Sequence, residues 1–271
     1  MKVEDIPAGL ALCRASGWNQ LTADWEIFLR LSPEGCRVCI EDDKVVGTVT
    51  TVPYEDHFSW IGMVLVDPAK RRSGIGMSLL HEALNVLRDV NLVKLDATPA
   101  GREVYTKLDF VDEYQLSRMI APSAPQSTVT SARLVAGTDL PEVIQLDREV
   151  FGADRRPLLE SMLAAGPELT FVTKVVSGRG YCFGRKGHDF THIGPVIATD
   201  IAAAKSVFSA AMSNCQGPVI TDALHHTPGW IAWLSSIGFS EQRRLTRMYR
   251  GVNSWPGLPQ QQFSILGPEF G

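Results

Sequence analysis

Hydrophobic positions along this chain switch between a strand-like and a helix-like spacing. Trp60 to Val66 is a continuous apolar run and predicts a buried strand. Leu79, Leu80, Ala83, Leu84 and Leu87 then recur at helical spacing. Ser78, His81, Glu82, Asn85 and Arg88 fall on the opposite face, which predicts an amphipathic helix. Between strand and helix runs a basic loop with glycines, Asp67 to Gly76. Upstream, Gly9 to Leu31 predicts one or two helices broken near Ser16-Gly17, and Arg37–Ile40 with Val45–Val52 predicts a hairpin around Asp42-Asp43-Lys44. Downstream, Val93 to Thr98 predicts a strand that Pro99-Ala100-Gly101 ends. Arg102 to Leu108 follows as a short helix with Val104, Tyr105 and Leu108 on one side, and Tyr114 to Met119 as the return strand.

The second half repeats the first weakly. Pro99, Phe110, Arg118 and Met119 match Pro228, Phe239, Arg247 and Met248 at one constant offset. Ile61-Gly62-Met63-Val64 answers Ile193-Gly194-Pro195-Val196, and Asp96 answers Asp222. Residues 121–132 are rich in Pro, Ser and Thr and predict a linker between domains at 1–120 and 133–271. The copies are not equivalent. Thr199-Asp200-Ile201 stands where the basic glycine loop would be, and Leu234 stands in the place of Tyr105. The final Ile265 to Gly271 is apolar enough to pack back on the body.

A loop that ends on a helix N-terminus offers unpaired N–H groups and the positive end of the dipole, which attract phosphate. Gly74 and Gly76 let a ligand approach the backbone, and Arg71 and Arg72 add charged donors. No Gly-Lys-Ser/Thr follows, so the loop is not a P-loop. The third glycine and the downstream acid of a dinucleotide fingerprint are missing.

The pattern Arg71-x-x-Gly74-x-Gly76 after an apolar strand resembles the acyl-CoA loop of the GNAT superfamily of N-acetyltransferases. The order strand, tyrosine-bearing helix, Lys107-Leu108-Asp109-Phe110 step and strand is similar to the same family, with Asp109 in place of the usual glycine. Asp tolerates the left-handed conformation such a helix end needs. The resemblance implies an α/β (α+β) chain of tandem GNAT-like domains, each a mixed, mostly antiparallel sheet flanked by helices, with a degenerate second half.

It further implies transfer of an acetyl group from acetyl-CoA to a primary amine by direct attack in a ternary complex. The cofactor contacts it implies are Val64, Leu65, Val66, Arg71, Arg72, Ser73, Gly74, Ile75, Gly76, Met77 and Ser78. A backbone N–H of Leu65 or Val66 would serve the carbonyl oxygen, and Tyr105 would protonate the departing thiolate. The glutamate that many members carry on the strand is absent from Ser59 to Val64. His57, Asp56 and Asp96 are the nearest candidates for the base, with Asp96 and Tyr105 taken as the catalytic pair. Trp18 and Trp25, with His57, are candidates for a substrate wall; the two tryptophans stand equally as core anchors.

Composition narrows the partners. A net charge of −4 gives no electrostatic support for nucleic acid binding. No apolar run reaches membrane-span length, and the acidic N-terminal residues are unlike a signal peptide, so a cytoplasmic protein is expected. The five cysteines are scattered. Cys36 and Cys39 point to opposite faces of their strand, and no metal site is expected. The acceptor is a small-molecule or peptide amine, and the chain a monomer or homodimer. A non-catalytic acyl-CoA sensor remains the alternative.

Overall fold

The N-terminal apolar stretch forms two helices, α1 (Ile6–Ala15) and α2 (Thr22–Leu31), separated where Gly17 takes φ +65°. The hairpin forms from β1 (Arg37–Glu41) and β2 (Lys44–Tyr54), turned by Asp42 and Asp43 at positive φ. Then come β3 (Phe58–Val66), α3 (Ile75–Val86), β4 (Leu92–Ala97), α4 (Pro99–Thr106) and β5 (Val111–Ala121). Helix α3 buries Leu79, Leu80 and Ala83 and leaves Ser78, His81, Glu82 and Asn85 in solvent, the two faces its spacing predicts. Asp109 takes φ +64° at the end of the turn after α4, the conformation expected of it.

The second half runs β6 (Arg133–Leu134), α5 (Leu140–Phe151), α6 (Arg156–Ala165), β7 (Phe171–Val175), β8 (Gly178–Lys186), β9 (Thr191–Ala198), α7 (Ile201–Ser213), β10 (Val219–Leu224), α8 (Pro228–Ser236), β11 (Ser240–Gly251) and β12 (Gln262–Ser264). This computed structural model describes residues 1–123, 131–175 and 178–271, so the core of the expected linker, 124–130, lies outside the described residues.

All strands among the described residues join one sheet in the order β1-β2-β3-β4-β11-β5-β10-β12-β9-β8-β7-β6. This order corrects one expectation. Strand β5 does not return beside β4 in its own half. It pairs with β10, and β11 of the second half lies between β4 and β5. The halves therefore exchange their last long strands. The repeated charges meet across the exchange: Arg118 holds both oxygens of Asp222 at 2.8 Å, and Arg247 holds both of Asp96 at 2.9 Å. Leu116, Leu245 and Met248 are buried at the join.

Each half contains a parallel strand pair that splays. Strands β3 and β4 pair at Ser59↔Val93 and Trp60↔Lys94 and then diverge, as β9 and β10 do after Thr191↔Val219 and His192↔Ile220. In the second half β12 fills the wedge, pairing with both β9 and β10. In the first half the wedge opens into a cavity.

After β12 the chain threads into the centre of the molecule. Ile265, Leu266 and Phe270 are fully buried, as the apolar tail leads one to expect. Phe270 stacks on Phe28 at 4.6 Å. Tyr54 donates to the Phe270 carbonyl at 2.6 Å, and the Trp60 indole N–H donates to that of Pro268 at 2.9 Å.

Candidate active site

The open wedge leads into a cavity of about 610 Å³. At one end stand Lys70, Arg71, Arg72, Gly74, Ile75, Gly76 and Met77; β3 and α4 form its walls. The loop conformation follows from its residues. Arg72 takes φ +68° and Gly74 takes φ +90° as the N-cap of α3. Glycine has no side chain to cap the helix, so the first N–H groups of α3 face the loop without a side-chain acceptor. A Cβ on Gly76 would meet only Val66, at 3.6 Å, so nothing within the protein forbids a side chain there. Arg71 bridges to the Val66 carbonyl and to Ser16 Oγ, both at 3.3 Å.

Ser73 and Ser78 shape this loop and do not line the cavity. Ser73 Oγ donates to the Lys70 carbonyl at 2.6 Å, and the Ser78 N–H is already bonded to the Gly74 carbonyl.

Val64, Leu65 and Val66 line the cavity on β3. The register between β2 and β3 slips between Thr48↔Leu65 and Thr50↔Gly62, and Met63 takes φ +51°. This bulge turns local backbone groups out of the β2 ladder. Past Trp60 the opposite edge of β3 has no strand partner, so main-chain donors there open toward the cavity.

Tyr105 reaches the cavity from α4, its ring packed at 6.0 Å from Phe110. Burial pushes its phenol up to about 12, which keeps it protonated at neutral pH. Trp18 also lines the cavity.

Two expected substrate contacts lie away from the cavity, and a third residue reaches it already paired. Asp96 borders the cavity, but its side chain is fully buried and both oxygens are held by Arg247. The ion pair takes one acceptor site on each oxygen and fixes the carboxylate's orientation, while burial raises its carboxyl above the usual range despite Arg247. Trp25 is buried in the core against Phe28 and Gly9, away from the cavity. His57 is likewise elsewhere, stacked on Trp255 at 3.5 Å with Nδ1 against the Gly152 carbonyl at 2.9 Å.

Gln20, on the same stretch as Trp18, also lines the cavity, and its deep end adds residues that the sequence reading missed: Arg118, Arg243, Leu245, Pro268 and Glu269. Two belong to the threaded tail. A Cβ on Gly62 would fall 2.8 Å from the Glu269 carbonyl oxygen, and one on Gly194 would fall 2.0 Å from that of Ile265. The glycine repeated in both copies is thus a seat for the tail, and this was the signal available in the sequence. Glu269 pairs closely with Arg185, which also approaches Asp24 at 3.4 Å. Burial pushes the Glu269 carboxyl up, but Arg185 and His192 hold it on balance below the usual range. Burial drives His192 down, although its Nε2 lies 3.3 Å from Asp222.

The equivalent end of the second half is closed. Asp200 caps α7, its carboxylate accepting the Ala203 N–H at 2.8 Å. A carboxylate already satisfies the helix end there, and β12 already fills the wedge.

The comparisons with known proteins agree with this geometry. Residues 10–110 match the model described as Acetyltransferase (GNAT) family, and residues 143–264 match that described as Acetyltransferase (GNAT) domain. The chain is 30% identical over 241 residues to the holothin acyltransferase of Pseudoalteromonas sp. (strain SANK 73390), covering 88% of this chain and 82% of that protein. In fold it is similar to a putative acetyltransferase from Pyrococcus horikoshii (TM-score 0.85, 23% identity, 100% of this chain and 94% of that one). It is also similar to a tandem GNAT protein from the clavulanic acid biosynthesis pathway (TM-score 0.62, 15% identity, 91% and 94%). No helix among the described residues is long and apolar enough to cross a membrane. With a matching domain in each half and a relative aligned along most of its length, this chain belongs to the GNAT family of acyltransferases, as a two-domain member.

Proposed function

We propose that the first half binds acetyl-CoA and that the protein transfers the acetyl group to a primary amine by direct attack, with both substrates bound together. The observation that carries this reading is the contrast between the wedges. The β9/β10 wedge holds an extended peptide, β12, bonded to both walls. The β3/β4 wedge has the same construction, is open, and ends at an uncapped helix N-terminus flanked by Arg71 and Arg72. An extended chain of amides ending in a diphosphate matches such a slot. The pantetheine arm and diphosphate of coenzyme A have that form, and the unhindered space at Gly76 suits close approach of the phosphates.

When bound, acetyl-CoA supplies a thioester carbonyl open to attack by an amine. Val64 and Val66, whose N–H groups alternate with those of Leu65 and Asp67 facing β2, present main-chain donors for the carbonyl oxygen on the free edge of the bulged strand. Tyr105 holds a proton for the released thiol, and its elevated pKa keeps that proton in place. The C–N bond forms as the C–S bond breaks, and the amine's surplus proton leaves through the polar wall of Gln20 and Glu269. Glu269 lines that wall paired to Arg185, as Asp96 is to Arg247, so neither carboxylate is a free base and the proton passes to solvent along the wall. Trp18 borders the acceptor entrance, whereas Ser16 is bonded by Arg71 at the loop end.

A thiol-release assay over an amine panel that includes holothin tests the reading. Turnover that needs acetyl-CoA and slows in Tyr105→Phe is expected. Acetyl-CoA binding without turnover of any amine would identify a sensor instead, and failure to bind acetyl-CoA would remove the assignment.

A further inference from the structure

The charges at the deep end of the cavity are unequally matched. Asp96 and Arg118 lie in two-pronged ion pairs with Arg247 and Asp222, and Glu269 is held by Arg185. Arg243 has no such partner among the described residues. Its Nε is shielded from solvent and meets no acceptor. In the β5–β11 ladder it stands directly opposite Arg118, whose counter-ion is already fully engaged. Two guanidinium groups facing each other across neighbouring strands repel. Asp222 and Glu269 offset that repulsion through space without bonding to Arg243. Burial without a bonded partner pushes the Arg243 guanidinium down to about 10, still fully charged at neutral pH. The deep chamber therefore presents a planar fork of donors with no acceptor, and no carboxylate free of an arginine.

Position assigns this fork to the acceptor. The phosphate-binding end lies at the loop after β3, whereas Arg243 is on β11, on the far side of β4 from β3. Building on the acetyl-transfer reading above, we propose that Arg243 binds an oxygen on the amine substrate, a carbonyl or a carboxylate close to the reacting nitrogen. The acceptor is then a small neutral or anionic amine. Polycations such as polyamines meet a free guanidinium there and find no unpaired carboxylate.

A matched series tests this: L-phenylalaninamide, L-phenylalanine, 2-phenylethylamine and spermidine, each with acetyl-CoA, on the wild type and on Arg243→Met. Arg243 is half-buried with its Nε shielded from solvent, and a charged donor so placed and left unpaired discriminates by roughly 10-fold. The amide or the acid should exceed phenylethylamine by that factor in kcat/KM, and the better of the two identifies a carbonyl or a carboxylate group. In Arg243→Met the ratio should collapse to about one, because discrimination rests on the guanidinium. The variant should also melt no lower than the wild type, since removing an unpartnered half-buried charge orphans nothing. Equal kcat/KM across the first three amines, a ratio that survives the substitution, or a preference for spermidine overturns the proposal.

Should none of the four be acetylated, calorimetric titration of phenylalaninamide and phenylalanine into both proteins decides. Binding that weakens at least about tenfold in Arg243→Met supports the assignment. Equal or absent binding refutes it. Acetyl-CoA affinity is titrated separately on the wild type, and its absence counts against the acetyl-transfer reading alone.

Discussion

Exchange of β5 and β11 makes a substitution in one half a perturbation of both. Asp222 on β10 belongs to the second half, and its partner Arg118 on β5 to the first. Replacing Asp222 by Asn keeps the volume but leaves Arg118, whose side chain is 8% exposed, without its counter-charge. Breaking a buried pair from one side costs about 3–5 kcal/mol. At about 2.1 cal/mol/K per residue, the 271 residues give an unfolding entropy near 0.57 kcal/mol/K. The melting temperature should fall by roughly 5–9 °C. It should fall as a single transition. Pulling the halves apart first would expose Leu116, Leu245 and Met248, worth roughly 5–9 kcal/mol at about 1.5–3 each, in addition to breaking both buried pairs. Differential scanning calorimetry is the assay, with equality of calorimetric and van't Hoff enthalpies as the criterion. Two resolved transitions of which only one moves, or a shift under about 2 °C, would refute the shared-sheet argument. The pair also sets a pH dependence. Burial raises the Asp222 carboxyl, but Arg118 and His192 outweigh it and hold it far below the usual range. The stabilisation is therefore complete above about pH 4 and is lost as pH falls toward the folded-state value. The deficit of Asp222→Asn should narrow below about pH 4.

Further outcomes follow from the site. Gly76→Asp should leave the unliganded protein nearly as stable, since its Cβ meets only Val66 at 3.6 Å, while its carboxylate at the helix N-terminus repels the diphosphate and acetyl-CoA affinity drops in calorimetric titration. Tyr105→Phe should lower kcat about 100-fold while leaving acetyl-CoA affinity intact. Because burial lifts Tyr105 to about 12, the wild-type rate should show no alkaline decline from this group below about pH 10. Phe270→Ala removes a fully buried ring stacked on Phe28 and should cost about 3–5 kcal/mol. It should also raise the KM for the acceptor, measured by steady-state kinetics, because it loosens the neighbouring Glu269.

The local chemistry was legible in the sequence. Periodicity placed α3 and its two faces, the glycine spacing placed the loop at its N-terminus, and Asp109 marked a left-handed turn. Each depends on residues within a few positions of one another, where backbone sterics and helical geometry leave little choice. The two Asp and two Arg of the repeat were visible as well, and the repeated glycine at 62 and 194 lay in plain view. The partners were not. Asp96 pairs equally well with Arg118 or Arg247 on charge alone, and only the sheet shows that the strands cross between halves.

That crossing paired Asp96 with Arg247, and the tail, threading back more than 200 residues from β3, brought Glu269 to the cavity. The same long-range packing put Trp25 in the core and left Arg243 facing the cavity without a partner. Short-range sterics and periodicity are written into neighbouring residues, so the sequence alone determined the elements and the basic glycine loop before α3. Which elements lie side by side is set by burial summed over the whole chain, and so the tertiary structure alone decided which side chains line the deep end of the cavity.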